Sequence, residues 1–409
     1  VVYGQERPTD EVFKTVDDAA NVNVTLYHDG KEVDSGASSE VLGNPLKSLQ
    51  WLVRKLEEQG KTFRAGQLVS SGTFLLPPHL TAGKWEAKFG SFIMTRKVAV
   101  VGMGHVGATV AHYLVAGGFV DDLALFDTNE AKVQADALDL RDAMANLPYH
   151  TNLTVNDESQ LRDCDVVVSA LGKSKLVDTP DHDRFAEFKF TRTQVPLVAK
   201  MLVDNGFHGK LVDVTNPCDV ITSMYQKLTG LPKEHVMGTG TLLDSARMRA
   251  RVGEALKVDS RSVVGFNLGE HGNSQFTAWS TVRVLGKPVT ELAKERGLKL
   301  SELEERARQG GYLVYQGKKY TNYGVATAAV RLTNALLNDA RTEMPVSNYR
   351  EEYGTYLSYP AVVGRDGVVE QLHLDLTPEE ESKLATSATY IKERLKKEEE
   401  RANQLAQAE

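Results

Sequence analysis

The stretch Lys97–Asp127, KVAVVGMGHVGATVAHYLVAGGFVDDLALFD, decides how the rest of the chain is read. Val98 to Val101 is an apolar run of the kind found in a strand buried on both faces. Gly102, Gly104 and Gly107 follow in G-x-G-x-x-G spacing, and Ala108 to Gly118 predicts a helix. Leu123 to Phe126 predicts a second strand, which ends in Asp127. Strand, glycine turn, helix, strand and acid together form a dinucleotide-binding fingerprint. Its first glycine permits the tight turn, its second admits a pyrophosphate, and its third lets helix and strand pack closely. The unpaired N–H groups at the helix start favour phosphate. Asp127 is placed to accept from ribose hydroxyls and would repel a 2′-phosphate, which favours NAD over NADP.

Downstream, Asn129 is a candidate N-cap for a helix whose Val133, Ala137, Leu140 and Met144 recur at core-facing spacing. Asp165 to Ala170 predicts a third parallel strand, ending at Leu171-Gly172. Lys210 to Thr215 predicts another, ending at Asn216-Pro217. His235 to Gly238 predicts one more, where the sheet is expected to end. Strands alternating with helices imply an α/β fold with a Rossmann-type, doubly wound parallel sheet, which binds ligands at the strands' carboxyl ends. Gly172 and Asn216 fall at such ends.

Reactive side chains concentrate in GTGTLLDSARMR and NLGEHGNSQF. A helix through Leu242–Arg247 sets Asp244 and Arg247 one turn apart on one face. His271 lies among small residues in Gly269-Glu270-His271-Gly272. A histidine held by a carboxylate can take a proton from an alcohol near neutral pH. A nearby arginine can grip a substrate carboxylate with two parallel hydrogen bonds.

Composition removes other classes. The chain has 409 residues, enough for two or three domains, with 41% hydrophobic and 25% charged residues. A net charge of −7 offers no basic footprint for nucleic acid or an anionic membrane. Cys164 and Cys218 are the only cysteines, which argues against a disulfide framework or thiolate metal site, and no metal is expected. No apolar run approaches the ~20 residues of a membrane span and no signal-peptide pattern is present, which points to the cytoplasm.

The chain from Met94 to near Arg394 resembles the L-lactate/L-malate dehydrogenase family. The resemblance is carried by DAMANL (Asp142 to Leu147), DRFAEFKF (Asp183 to Phe190), GFHGKLV (Gly206 to Val212), GTGTLLDSARM, NLGEHGNSQFTAWSTVRV, YTNYGVAT and LSYPAVVGRDGV. Within the family these runs are most similar to the L-2-hydroxyisocaproate dehydrogenases. The resemblance implies that His271 is the acid/base, that Asp244 orients it, and that Arg247 anchors the substrate carboxylate. It implies further that Arg184, on a mobile loop, polarises the 2-oxo group, and that Asn216 contacts both substrate oxygen and the nicotinamide region. Thr321 and Val325 match residues beside the substrate side chain and the nicotinamide ring. A 2-oxo or 2-hydroxy acid substrate and a homo-oligomer, dimer or tetramer, are the partners implied. Malate enzymes carry a mid-loop arginine, and none lies between Gly172 and Arg184 here. Lys173 and Lys175 sit near the loop base, whereas Leu176 and Val177 fall close to the discriminating position. An aliphatic or branched substrate is therefore expected, with lactate as the alternative.

The first ninety residues read differently. Val22 to Tyr27 predicts a strand, His28-Asp29-Gly30 a turn, Glu32 to Asp34 a returning strand, and Asn44-Pro45 the start of a helix ending at Gly60. Short strands are expected at Gln67 to Ser70 and Lys84 to Phe89. Ser38 to Phe74, with LTAGKWEAKFG after it, resembles the C-terminal part of 2-oxo-4-pentenoate hydratases, of the fumarylacetoacetate hydrolase-like family. That family's acidic metal ligands lie upstream of the matching part, so a metal-dependent hydro-lyase is the disfavoured reading. The expected organisation is residues 1–93 as an inactive hydratase-like fragment, 94–238 as the NAD-binding domain, and 239–409 as an α+β substrate domain with a C-terminal helix. Met94 is where the working enzyme is expected to begin.

Overall fold

The computed structural model describes residues 22–41, 44–62, 84–89, 92–93, 96–173, 176 and 184–408. The chain divides into two compact units, Val1–Thr95 with Asn146–His150, and Arg96–Ala145 with Thr151–Glu409. In the first unit, β1 (Asn23–His28) and β2 (Lys31–Ala37) form the expected hairpin. Its turn residues Asp29 and Gly30 have φ of 50° and 75°, the paired positive angles that match a hairpin's twist. Helix α1 (Leu46–Glu58) follows Asn44, whose Oδ1 accepts from the Leu46 N–H at 2.9 Å. Strands β3 (Trp85–Phe89) and β4 (Phe92–Ile93) complete a sheet of order β2-β1-β3-β4. The strand expected at Gln67 to Ser70, and Met94 itself, lie outside the described residues.

The second unit is built on β5 (Lys97–Val101), where Val98, Ala99 and Val100 are wholly buried. Then come α2 (His105–Ala116), β6 (Asp122–Phe126), α3 (Glu130–Met144), β7 (Asn152–Val155), β8 (Val166–Ser169), α4 (Phe188–Asp204), β9 (Lys210–Asp213), α5 (Cys218–Thr229) and β10 (Val236–Gly238). The parallel strands lie in the order β10-β9-β8-β5-β6-β7. Sequential strands run outward in both directions from β5, so the chain reverses between β5 and β8 and opens a crevice at their carboxyl ends. Asn129 caps α3 as expected, its side chain accepting from Lys132 N at 3.2 Å.

Two expectations are corrected. The short strand β7 comes between β6 and β8, so the strand through Val166–Ser169 is the fourth parallel strand rather than the third. The sheet also continues past β10. Strand β16 (Thr342–Arg350) pairs antiparallel with β10 through Gly238 and Ser347, and β17 (Thr355–Gly364) and β18 (Gly367–Gln371) extend the sheet to nine strands. A three-residue β10 left at the edge would expose unpaired backbone groups. Gly238 permits the approach, because a Cβ there would lie 3.0 Å from the Ser347 Cβ and 2.6 Å from Cys218 Sγ.

Between β10 and β16 lie α6 (Leu242–Leu256), a small sheet of β11 (Val263–Val264), β14 (Arg283–Val284) and β15 (Lys287–Pro288), and the hairpin of β12 (Asn267–Leu268) and β13 (Phe276–Thr277). Helices α7 (Val289–Arg296), α8 (Leu300–Lys318) and α9 (Tyr323–Leu337) follow. The final helix, α10 (Pro378–Ala408), buries Leu384, Ala388 and Ile391, as its spacing predicts. Among the described residues, no helix is long and apolar enough to cross a membrane.

A reciprocal cap starts α10. Thr377 N donates to Glu380 Oε2 at 2.9 Å, and Glu380 N donates to Thr377 Oγ1 at 3.3 Å. Glu380 also accepts from Ser280 N at 3.0 Å and Ser280 Oγ at 2.6 Å, tying α10 to the segment before β14. Burial raises the Glu380 pKa, but these hydrogen bonds outweigh it and leave the carboxyl below its ordinary value. Its stabilisation is therefore present above about pH 4.5 and lost as the pH falls through the lower folded value. Glu380→Ala is expected to cost about 1–3 kcal/mol in urea unfolding at pH 7. Leu384→Ala, which empties core volume, is expected to cost about 2–5 kcal/mol.

Candidate functional site

The glycine turn is shaped by its surroundings. Gly102 has φ of 91°, and a Cβ there would lie 2.8 Å from the Ala170 carbonyl oxygen. Gly107 packs so closely on the Gly102 carbonyl that no side chain fits. A Cβ on Gly104 would meet nothing within 4 Å, so the second glycine faces open space at the α2 N-terminus. That arrangement suits a pyrophosphate held by backbone amides. Asp127, at the end of β6, accepts from Met103 N at 2.7 Å and Asn129 N at 2.8 Å, which locks its carboxylate beside the turn. Gly172 and Asn216 lie just past the ends of β8 and β9, as predicted.

Asp244, Arg247 and His271 come together across α6 and the β12–β13 hairpin. Asp244 sits in the first turn of α6, where the helix dipole favours an acid. The hairpin is fastened to that turn through Asn267, whose N–H donates to Ser245 Oγ at 2.9 Å and whose carbonyl accepts from Thr241 Oγ1 at 2.6 Å. Gly269 bridges to Ser358 of β17. The loop is thereby delivered so that His271 Nδ1 lies 2.6 Å from Asp244 Oδ2. Arg247 Nη1 donates to the other oxygen, Oδ1, at 3.2 Å. Both carboxylate oxygens are thus engaged, and Asp244 is only 3% exposed.

Burial alone would raise the Asp244 pKa, but His271, Arg247 and Arg184 outweigh it and hold the carboxyl far below its ordinary range. Burial lowers the His271 pKa, and Arg184 and Arg247 push the same way against the pull of Asp244. Burial and the two guanidinium groups therefore favour the neutral ring, while Asp244 favours the protonated one. With Nδ1–H directed at Asp244, Nε2 is left as an acceptor, and it has no hydrogen-bond partner among the described residues. Such a ring can accept a proton from an alcohol, or return one to a carbonyl once protonated.

Arg184 opens the 3-10 turn Arg184–Glu187 and is close enough to bear electrostatically on Asp244, Arg247 and His271. Thr321 lies just before the N-cap Asn322 of α9 and Val325 lies in the first turn of α9; both are half-buried. Adjacent Asn322 donates to Thr109 Oγ1 of α2 at 2.9 Å, which joins this segment to the dinucleotide helix. Lys173 lies with Nζ 4.6 Å from the Phe190 ring centre. Lys175 and Val177 lie outside the described residues. Among the described residues, no group of three or more His, Cys, Asp or Glu side chains is arranged to hold a metal ion.

Several supporting residues escape sequence reading. Asp219 Oδ2 accepts from His271 N at 2.8 Å, and its Oδ1 accepts from Ser347 Oγ at 2.6 Å. Burial pushes the Asp219 carboxyl up to about 7, against those hydrogen bonds. Its position in the first turn of α5, three residues after Asn216, was the one available signal. Glu270 accepts from Ser274, and its N–H donates to Ser387 Oγ of α10 at 2.8 Å. Gly310 and Gly311 of α8 lie against Arg247, and a Cβ on Gly311 would fall 3.2 Å from Nη1 and Nη2.

Residues 96–238 match the NAD-binding domain of the lactate/malate dehydrogenases, and residues 241–402 match their alpha/beta C-terminal domain. The chain belongs to the lactate/malate dehydrogenase family. It is an NAD-dependent oxidoreductase acting on 2-hydroxy acids. It is 36% identical to L-lactate dehydrogenase 2 of Listeria monocytogenes over 304 residues, 73% of this chain and 97% of that protein. L-lactate dehydrogenase 1 of Bifidobacterium longum is also 36% identical, over 306 residues, 73% of this chain and 96% of that protein. The ligand-bound crystal structure of the minor L-lactate dehydrogenase of Enterococcus mundtii superposes with a TM-score of 0.70 at 33% identity, covering 74% of this chain and 98% of that one. The lactate dehydrogenase of Cryptosporidium parvum, complexed with lactic acid and nicotinamide adenine dinucleotide, gives 0.70 at 28% identity, covering 75% of this chain and 98% of that one.

Asp219→Ala would leave the His271 N–H without its acceptor, an unsatisfied buried donor costing about 1–3 kcal/mol. The variant is expected to lose about tenfold or more in kcat, with NADH affinity, read by fluorescence titration, within twofold of the wild type (~2-fold being under 0.5 kcal/mol).

Proposed function

We propose that the chain reduces 2-oxo acids with aliphatic, branched side chains, reversibly and with NADH. The observation that carries the chemical part is the cluster in which one buried carboxylate, Asp244, holds both His271 and Arg247. Arg247 grips the substrate carboxylate through its remaining N–H groups. His271 Nε2 faces the C2 oxygen, taking the hydroxyl proton in oxidation and returning it in reduction. Arg184 polarises the 2-oxo group, and Asn216 and Thr321 border the substrate. Gly102, Gly104 and Gly107 cradle the pyrophosphate, Asp127 takes the adenosine ribose, and Gly172, Asn216 and Val325 line the rest of the cofactor path. Bound NAD supplies the hydride acceptor. The imidazolium formed as the proton leaves is stabilised by Asp244, which stays ionised throughout.

Two features support the larger substrate. No arginine lies between Gly172 and Arg184 to meet a second carboxylate, and Leu176 is there instead. The second is the resemblance of the chain to the L-2-hydroxyisocaproate dehydrogenases; the Gly310-Gly311 pair, by contrast, makes room for the Arg247 side chain itself. A second reading, lactate dehydrogenase proper, is favoured by relatives that carry that name. With NADH, 2-oxoisocaproate is expected to exceed pyruvate in kcat/KM by about tenfold, roughly the worth of one or two buried methylenes, and oxaloacetate and NADPH to be poor. A preference for pyruvate would select the second reading, and no NADH oxidation with any 2-oxo acid would sink both.

The pH dependence follows from the charges around His271. Reduction requires the protonated ring, so its rate falls as the pH rises through the His271 pKa. Asp244 is the charge that raises that pKa, while burial, Arg184 and Arg247 lower it. Asp244→Asn is therefore expected to move the falling limb of kcat/KM for reduction to lower pH by about one unit or more. An unshifted limb would contradict the pairing of these roles.

For residues 1–93 we infer an inactive hydratase-like fragment, supported by the sequence likeness over Ser38 to Phe74. The organisation into residues 94–238 and 239–409 remains our reading of the dehydrogenase part, as does assembly into a homo-oligomer. Equal activity and equal light-scattering mass per chain for the full protein and a 94–409 version would leave residues 1–93 no role in either property.

A further inference from the structure

We propose that Glu187 is a positioning residue that fixes the orientation of the Asn216 amide and ties both ends of the Gly172–Arg184 loop together. Glu187 is only 5% exposed although it closes the same 3-10 turn that Arg184 opens. Its Oε1 accepts from Lys173 N at 2.8 Å, and its Oε2 accepts from Asn216 Nδ2 at 3.1 Å. A single carboxylate therefore joins the Lys173 N–H in the segment beyond β8, the Asn216 amide beyond β9, and the turn that carries Arg184. Gly172 makes room for it, since a Cβ there would lie 3.1 Å from Oε1. The backbone at the junction is held as well, because Thr191 Oγ1 donates to the Asn216 carbonyl at 3.0 Å.

The chemistry of the pair sets the direction of the amide. A carboxylate only accepts, so it selects the NH₂ end of Asn216 and turns Oδ1 away from itself. That oxygen is buried and has no hydrogen-bond partner among the described residues. A buried amide oxygen left unmatched is costly unless something fills the place, and an acceptor there suits a hydroxyl or carboxamide donor of the reacting pair. Glu187 thus determines whether Asn216 presents an acceptor or a donor to the reaction centre. Burial raises the Glu187 pKa against the hydrogen bonds from Asn216 and Lys173 and the charge of Arg184, as expected of a carboxyl held inside the fold. The inference rests on the reading of Asn216 as a substrate- and cofactor-facing residue.

The test is a double-mutant cycle on the full chain with NADH and a 2-oxo acid. Glu187→Gln replaces one acceptor with a donor and favours the flipped amide. It is expected to lower kcat by about tenfold or more while leaving NADH affinity, measured by fluorescence, within about twofold. In an Asn216→Ala background the same substitution is expected to cost less than about threefold, because the amide it acts through is gone. Glu187→Met, which removes both acceptors, provides the same comparison if Glu187→Gln folds poorly, and NADH binding reports folding for each variant. Wild-type kcat in Glu187→Gln, or equal losses with and without Asn216, would overturn the proposal. Wild-type activity in Asn216→Ala alone would overturn the underlying reading of Asn216 instead, and the proposal with it.

Discussion

The alpha/beta C-terminal domain depends on one buried negative charge. Asp244 is nearly inaccessible to water, and removing a carboxylate from solvent costs several kcal/mol unless partners replace the lost hydration. Here the partners are the groups to which we assign the chemistry, His271 on one oxygen and Arg247 on the other. Each partner fixes the carboxylate for the other, so the imidazole tautomer and the guanidinium direction are set by the same contact. Removing the acid would leave a buried cation beside a neutral ring; removing either partner would leave the acid undercompensated. The cluster is stable only when complete.

The surroundings of that charge explain why so many polar residues lie at the edge of the core. The loop holding His271 is fastened from α6 through Asn267, from β17 through Ser358, from α5 through Asp219 and from α10 through Ser387. These contacts use backbone N–H groups and short side chains, so little rotamer freedom is lost in making them. Precision near the imidazole is obtained from backbone anchoring rather than from apolar packing.

What was legible in the sequence was local or periodic. Gly102, Gly104, Gly107 and Asp127 announce themselves because the chemistry fixes their spacing within one strand–helix–strand unit. The α10 stripe of Leu384, Ala388 and Ile391 was legible for the same reason. The antiparallel strands β16 to β18 were not, because their place depends on the free edge of β10, a hundred residues earlier in the chain. Asp219 and Glu187 were hidden for a different reason. Each acts by accepting from a backbone N–H distant in sequence, and no residue spacing records such a contact.

Gly238 carries a consequence beyond strand pairing. Because it lets Ser347 come close, hydrogen bonds run unbroken from the nucleotide-binding strands into the hairpin of β16 and β17, and through Ser358 to the loop of His271. The NAD-binding and C-terminal domains therefore share one nine-stranded sheet. Free energy gained by occupying the dinucleotide crevice is available to hold the loop of His271 in register, and melting either domain first would sever the same ladder. Cofactor saturation and resistance to unfolding in the C-terminal domain are, on this architecture, linked quantities.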